Sequence, residues 1–258
     1  MRTPLLLGLL SAALLVSSCS DSTTTPEPVG AYIRPSGSYV THSNVDVAID
    51  AATKQTTNAD APDDSTVVVE RSSTNGVERS VAHVYVDGAV TDTVIMMQNG
   101  SIVMQDFPIR YDIQSVVLDL GRKMVTIADF NASTWTALKD TIAPFDFPVL
   151  PGAKLSGALN FTGKPLGNEQ VTIGTTKLST RKVQLNLDAT LYASIGATVI
   201  SVPIGLVRTI WFADGVGVVK TEQAAAVVNL GAAGALLGSS TQAIPGFTQT
   251  AKSWSPTN

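Results

Sequence analysis

Apolar and polar residues alternate with a period of two along much of this chain. Leu155, Gly157, Leu159 and Phe161 alternate with polar neighbours, and Val183, Leu185, Leu187, Ala189 and Leu191 alternate with Gln184, Asn186, Asp188 and Thr190. A period of two places each set on one face of a strand, so both runs read as half-buried strands with one wet side. Three dipeptides, Asn75-Gly76, Asp87-Gly88 and Asn99-Gly100, recur at intervals of 12 residues. Such pairs favour positive φ at both central positions of a type I′ turn, whose twist matches that of paired strands. Between them lie Val77–Val86 and Ala89–Gln98, of strand length and rich in valine and threonine. Thr66 to Phe107 therefore reads as a four-strand antiparallel meander.

The pattern continues on both sides of this block. Ile109–Leu120 and Met124–Phe130 are expected as strands flanking a Gly121-Arg122-Lys123 turn, and Asn131–Leu138 as one short helix capped by Asn131 or Ser133. Pro144, Pro148 and Pro151 suggest an extended connector, and Ala51–Asp64, with its Thr, Asn, Ala and Asp, a long polar loop. A final hairpin is expected from Leu206–Ala213, a turn at Asp214-Gly215, and Val216–Gln223. The uncharged run Ala189–Val207 is long enough to span a bilayer. Gly196, Pro203, Gly205 and its β-branched residues instead divide it into two buried strands with a turn. Ala224–Gly238 is shorter, contains Asn229 and three glycines, and is not read as a span either. The sum is an all-β, antiparallel, strongly curved sheet of roughly ten strands, with at most one or two short helices. A sheet that long must curl, close or split, which leaves an open barrel or a sandwich.

The first residues follow different rules. Met1-Arg2 precedes the uncharged, leucine-rich run Leu5–Val16, too short to span a membrane and of the size of a signal-peptide core. Small Ser17 and Ser18 then lead into Cys19. The stretch Val16-Ser17-Ser18-Cys19 resembles the lipobox of bacterial lipoproteins. That resemblance implies that residues 1–18 are cleaved as a signal peptide and that the Cys19 thiol carries diacylglycerol, with an acyl chain such as palmitate on the new N-terminus. Since one acyl chain holds a membrane only marginally, two or three on one cysteine make release negligible. Ser20 stands where an aspartate would favour inner-membrane retention in well-studied Gram-negative lipoproteins, so the same resemblance favours the outer membrane, facing either the periplasm or the surface. Residues 19–37, rich in Ser, Thr, Pro and Asp, read as a disordered stalk, and 38–258 as a single β domain.

Cleavage before Cys19 leaves 240 of the 258 residues, with 16 basic against 21 acidic side chains and a net charge of −5. That balance speaks against nucleic acid, which selects a basic face. Cys19 is the only cysteine, so once acylated it leaves no disulfide framework, cysteine zinc site or thiol nucleophile. Histidine occurs only as His42 and His83, without the spacing of a zinc site, and there is no Gly-x-Ser-x-Gly, Walker or Rossmann motif. Asp60, Asp63 and Asp64 cluster in the expected polar loop and have oxygens suited to a hard cation, although solvated carboxylates are the commoner outcome. Asp140 and Asp146 read as turn residues beside the prolines. No cofactor, metal or catalytic residue is nominated.

The segment Ile210-Trp211-Phe212-Ala213-Asp214-Gly215-Val216-Gly217-Val218-Val219-Lys220 resembles a hairpin of exported bacterial β-rich proteins. There an aromatic strand, a Gly-Val-Gly turn and a Val-Lys strand end a curved sheet. Some of those families have open half-barrels like those of periplasmic lipoprotein and lipid carriers, so the resemblance implies an apolar concavity. Trp211 and Phe212 face opposite ways. One fills the core; a structural role is the commoner outcome for Trp211, which is otherwise the candidate ligand contact. The expected function is non-enzymatic: a membrane-anchored lipoprotein whose β domain binds a hydrophobic ligand or an envelope partner. Two alternatives remain, a structural or adhesive surface module and a hydrolase of cell-envelope glycan. A filled core would favour the module, and convergent carboxylates or a Ser-His pair the hydrolase.

Overall fold

The computed structural model describes residues 30–113, 116–147, 152–234 and 238–255. They form fourteen strands: β1 (Tyr39–Ile49), β2 (Thr56–Thr74), β3 (Val77–Val86), β4 (Ala89–Asn99), β5 (Ile102–Ile113), β6 (Val116–Asp129), β7 (Trp135–Asp146), β8 (Ala153–Ile173), β9 (Thr176–Ile195), β10 (Thr198–Ala213), β11 (Gly217–Gln223), β12 (Ala226–Asn229), β13 (Thr241–Ile244) and β14 (Gly246–Trp254). Twelve of them join one antiparallel sheet in the order β6-β5-β4-β3-β2-β1-β14-β11-β10-β9-β8-β7, while β12 and β13 pair separately. The large sheet curls into a nearly closed barrel, which decides between the two architectures left open by periodicity.

The turn chemistry explains the meander. Asn75 and Gly76 have φ of 51° and 78°, and Asp87 and Gly88 repeat those values, as a type I′ turn requires. At the third turn only Gly100 is left-handed, with φ of 55°, and β4 already includes Asn99. That turn therefore centres on Gly100-Ser101, one residue later than the spacing suggests.

The barrel is closed by side chains where its ladder ends. Edge strands β6 and β7 share no ladder of backbone hydrogen bonds among the described residues. Trp135 Nε1 instead donates to the Thr126 carbonyl at 2.8 Å, and Lys123 Nζ meets Asp140 Oδ2 at 2.8 Å. A second weak line lies between β4 and β5, whose ladder runs only from Met96↔Gln105 to Asn99↔Ile102. Beyond it the Ile95 amide donates to Asp106 Oδ1 at 2.6 Å, and Arg122 bridges Asp106 at 2.6 Å and Asp92 at 2.8 Å. Both lines cover edges whose unpaired backbone groups would otherwise be exposed.

The interior is the main core. Leu155, Leu159 and Phe161 of β8, Val183, Leu185, Leu187, Ala189 and Leu191 of β9, and Val202, Ile204 and Leu206 of β10 are buried together. The intervening polar residues of β9 lie on the outer wall, where Gln184 Nε2 donates to Asn186 Oδ1 at 2.8 Å. Apolar inside and polar outside is the reverse of a lipid-embedded barrel. No helix among the described residues is long and apolar enough to cross a membrane. Val228, Leu230 and Ala233, in and just after β12, join the same core.

Several expectations are corrected. Ala51–Asp64 is not a long loop: a short turn at residues 51–53 leads into the 19-residue β2, which pairs on both sides. Polar alternation there belongs to a strand whose outer face is wet. Asn131–Leu138 is not a helix, because β7 starts at Trp135 and seals the seam. The β5–β6 hairpin joins Ile113 to Val116, and Gly121, with φ of 73°, sits within β6. Leu120 and Gly121 there oppose the single Ile109, so the glycine marks a bulge, not a turn. Pro144 lies inside β7, an edge strand where a missing amide is tolerated, while Pro148 and Pro151 lie outside the described residues.

Residues 30–37, assigned by composition to the disordered stalk, are in fact attached to the barrel. Tyr32 and Ile33 are buried, Gln98 Nε2 donates to the Gly30 carbonyl at 2.8 Å, and the Ala31 amide donates to Asp214 Oδ1 at 2.6 Å. Residues 19–29 lie outside the described residues. Nor is the β10–β11 hairpin the last element: β14 inserts between β1 and β11, so the last of the described strands is a central one.

Candidate functional site

The barrel interior contains two neighbouring cavities with different linings. The larger, about 560 Å3, is bounded by Phe107, Ile109, Phe161, Leu187, Leu206 and Ile244, with Asp46 and Arg110 also on its boundary. The smaller, about 380 Å3, includes Arg34, His42, Thr66, Gln105, Arg122 and Gln249. Both fall within the range of small-molecule sites. Phe107, Pro108, Arg208 and Phe247 line both, so the two cavities meet around those side chains. The smaller also reaches the β4–β5 split, since Asp92 and Met96 on one lip and Gln105 and Phe107 on the other belong to its wall.

Arg208 stands between the two environments. It lies on β10 in phase with Leu206 and Ile210, so the strand's own period points it inward. Its Nη2 donates to Gln223 Oε1 at 2.7 Å. Its guanidinium lies 4.3 Å from the centre of the Phe107 ring and 5.1 Å from that of Phe247. Aromatic faces on a desolvated cation offset part of the energy lost with its hydration.

The polar cavity is organised by a buried pair. His42 and Asp64 are each 6% exposed, and His42 Nδ1 lies 2.9 Å from Asp64 Oδ1. Asn44 Nδ2 and Gln249 Nε2 donate to the other oxygen, Asp64 Oδ2, at 2.8 and 2.7 Å. Burial alone would raise the Asp64 carboxyl. The hydrogen bonds from His42, Asn44 and Gln249, with the histidine's charge, outweigh it and hold the carboxyl below its ordinary value. The other ring nitrogen, His42 Nε2, is buried without a hydrogen-bond partner among the described residues. Arg34 donates from Nη1 to the Thr66 carbonyl at 3.3 Å, and burial pushes its guanidinium down to about 10. No carboxylate pairs with Arg34 among the described residues.

The residues singled out by sequence are dispersed. Cys19 lies outside the described residues. Trp211 is 2% exposed but lines neither cavity. It packs in a smaller cluster with Val40, Val171, Ile173 and Val219, while Phe212, one residue on, joins the main core. Trp211 Nε1 donates to Glu169 Oε2 at 3.1 Å, and the Lys182 and Lys220 ammonium groups lie 4.8 and 4.6 Å from its ring centre. His83 alternates with Ala82 and Val84 on β3 and lies near Tyr85, with ring centroids 6.3 Å apart. The three aspartates of the expected loop separate: Asp64 turns inward to His42, Asp63 meets Lys252 at 2.6 Å, and Asp60 is exposed on β2. Asp140 and Asp146 are occupied by Lys123 and Lys154. Among the described residues, no group of three or more His, Cys, Asp or Glu side chains is arranged to hold a metal.

Arg34, Arg208 and the His42–Asp64 pair were not nominated from sequence. Arg208 left a legible signal, a charged residue in phase with buried Leu206 and Ile210. Arg34 left none, because its segment has the composition of a tether. The pairing of His42 with Asp64 depends on the β1–β2 register.

No protein-family model matches this sequence, and no curated protein matches it. Solved structures similar in shape include a candidate lipoprotein from Parabacteroides distasonis, with a TM-score of 0.47 and 13% identity, covering 89% of this chain and 100% of that one. Another is a candidate exported protein with a YmcC-like fold from Bacteroides fragilis, with a TM-score of 0.40 and 10% identity, covering 88% and 99%. Likeness at this level is too low for either to supply a function.

Proposed function

We propose that this chain is a lipid-anchored lipoprotein of the bacterial cell envelope, held through acylated Cys19, whose barrel binds a hydrophobic molecule without transforming it. The observation that supports this most is the cavity of about 560 Å3 inside the barrel, bounded by Phe107, Ile109, Phe161, Leu187, Leu206 and Ile244. A concave, mostly apolar space of this size is the usual form of a small-molecule site. The adhesive-module alternative, with its function in the loops, gives no reason for such a space. The lipobox and Ser20 support an outer-membrane address.

The chemistry around the cavities favours binding over catalysis. His42 has the aspartate of a Ser-His-Asp relay, but no serine is hydrogen-bonded to its Nε2. Asp92 and Asp106 converge, but on the Arg122 guanidinium, which occupies both carboxylates. A glycan hydrolase needs two carboxylates free to flank a scissile bond.

Two measurements test this reading. Replacing Cys19 by serine is expected to move the protein from the membrane to the soluble fraction, and continued retention would refute the anchor. Native mass spectrometry of that full-length variant, purified without detergent, is expected to show a co-purifying apolar molecule. A clean ligand-free mass that persists after incubation with long-chain lipids would refute the carrier.

A further inference from the structure

We infer that the ligand is an anionic amphiphile with a single alkyl chain, its charged head in the cavity lined by Arg34, His42 and Arg208 and its tail along Phe107, Phe161, Leu187 and Leu206. This rests on the carrier reading above and specifies the class of molecule carried.

The first ground is charge. The smaller cavity is lined by Arg34, Arg122, Arg208 and His42; Arg122 is paired with Asp92 and Asp106 and His42 with Asp64, so that ground rests on Arg34. Arg34 is half-buried with no carboxylate counter-charge among the described residues, and its hydrogen bond to Thr66 is long. Withdrawing a cation even partly from water without a counter-charge is costly, and an arriving anion offsets that cost. Guanidinium also presents paired donors that match carboxylate and phosphate oxygens.

The second ground is independent of the first. His42 is 6% exposed, lines the cavity, and has its Nε2 buried with no partner. Its orientation is imposed from behind, because Asp64 accepts at Nδ1 and is itself held by Asn44 and Gln249. A buried polar atom without a partner, on a side chain that lines a cavity, is where a ligand atom is expected.

The third ground is continuity. Arg208 lines both cavities, and the rings flanking its guanidinium, Phe107 and Phe247, line both as well. A head beside Arg208 is therefore next to the apolar space, and a chain joined to it need not cross solvent. Asp46 and Arg110 lie on the boundary of the apolar space, where a second ionic group could compete for the head; the measurements on Arg34 distinguish the two ends.

The full chain carrying Cys19→Ser, free of detergent, is titrated with the fluorescent fatty acid cis-parinaric acid and with its methyl ester. The acid is expected to bind at least about tenfold more tightly than the ester, the loss associated with a hydrogen bond to a charged group. Arg34→Gln is expected to lower the affinity for the acid far more than that for the ester, and so to erase most of the preference, and Arg34→Lys to retain part of it. Equal affinity for acid and ester in the unmutated chain would overturn the anionic head while leaving the hydrophobic carrier intact, and needs no variant to fold. Binding of neither probe would remove both. An acid preference that survives Arg34→Gln in a folded variant would refute this placement of the head. Displacement by oleate alone identifies a carboxylate head, and displacement by lysophosphatidate as well extends it to phosphate; both support the inference.

Discussion

The Gly163→Ala variant is expected to be less stable than the parent by about 2–3 kcal/mol, the range for overpacking combined with a lost hydrogen bond. A methyl group at this position would overlap Cε2, Cζ2 and Nε1 of the Trp135 ring. Gly163 pairs with Trp135 in the β7–β8 ladder, so the indole lies across the glycine and reaches the opposite edge, where Nε1 meets the Thr126 carbonyl. Any side chain here displaces the ring from the seam and exposes the β6 and β7 edges. Urea denaturation followed by tryptophan fluorescence measures the loss. A double-mutant cycle identifies its origin: in a Trp135→Ala background, Gly163→Ala should cost almost nothing. An undiminished cost there would place the strain in the backbone and not at the seam.

This contact also marks the limit of what the sequence makes legible. Fold class followed from patterns that act locally. Alternation in Leu155–Phe161 and Val183–Leu191 fixes which side of each strand is buried, and Asn75-Gly76 and Asp87-Gly88 fix two hairpins through φ alone. Barrel closure depends on residues distant in sequence, such as Trp135 with Thr126 or Lys123 with Asp140, and leaves no period. The errors have related causes. Gly121 has the same left-handed φ in a bulge as it would in a turn. The polar 51–64 segment looked like a loop because an outer strand face and a loop share a composition. The Ser- and Pro-containing stretch before Gly37 hid Tyr32, whose ring packs 4.9 Å from Phe130 and 5.4 Å from Phe212. The cavities were legible only in part. Arg208 could be flagged from its phase with Leu206 and Ile210, whereas His42 and Arg34 gain their meaning from strands that meet only in three dimensions.

Removing the Asp64 carboxylate should have the largest effect of any single change considered, about 3–5 kcal/mol for Asp64→Ala, the usual consequence of deleting one partner of a buried ionic pair. Three donors lose their acceptor at once: His42 Nδ1, Asn44 Nδ2 and Gln249 Nε2. These side chains come from β1 and β14 as well as β2 itself, so the carboxylate ties together three adjacent strands. Asp64→Asn keeps the shape and loses the charge, so it should cost less than alanine at neutral pH. The native interactions lower the carboxyl's pKa, so the stability they add is present in full above the unfolded value, about pH 4. It is lost as pH falls through the lower folded value. The stability difference between parent and Asp64→Asn should thus shrink as pH falls below about pH 4. Exposed carboxylates such as Asp50 and Glu78 are also held low, but they titrate alike in both proteins and cancel from the difference. Urea midpoints measured for the two proteins across this range decide the matter. A gap that stays the same at pH 3 would mean that Asp64 contributes through its shape alone, and His42 would then lack the charged support that fixes its ring toward the cavity.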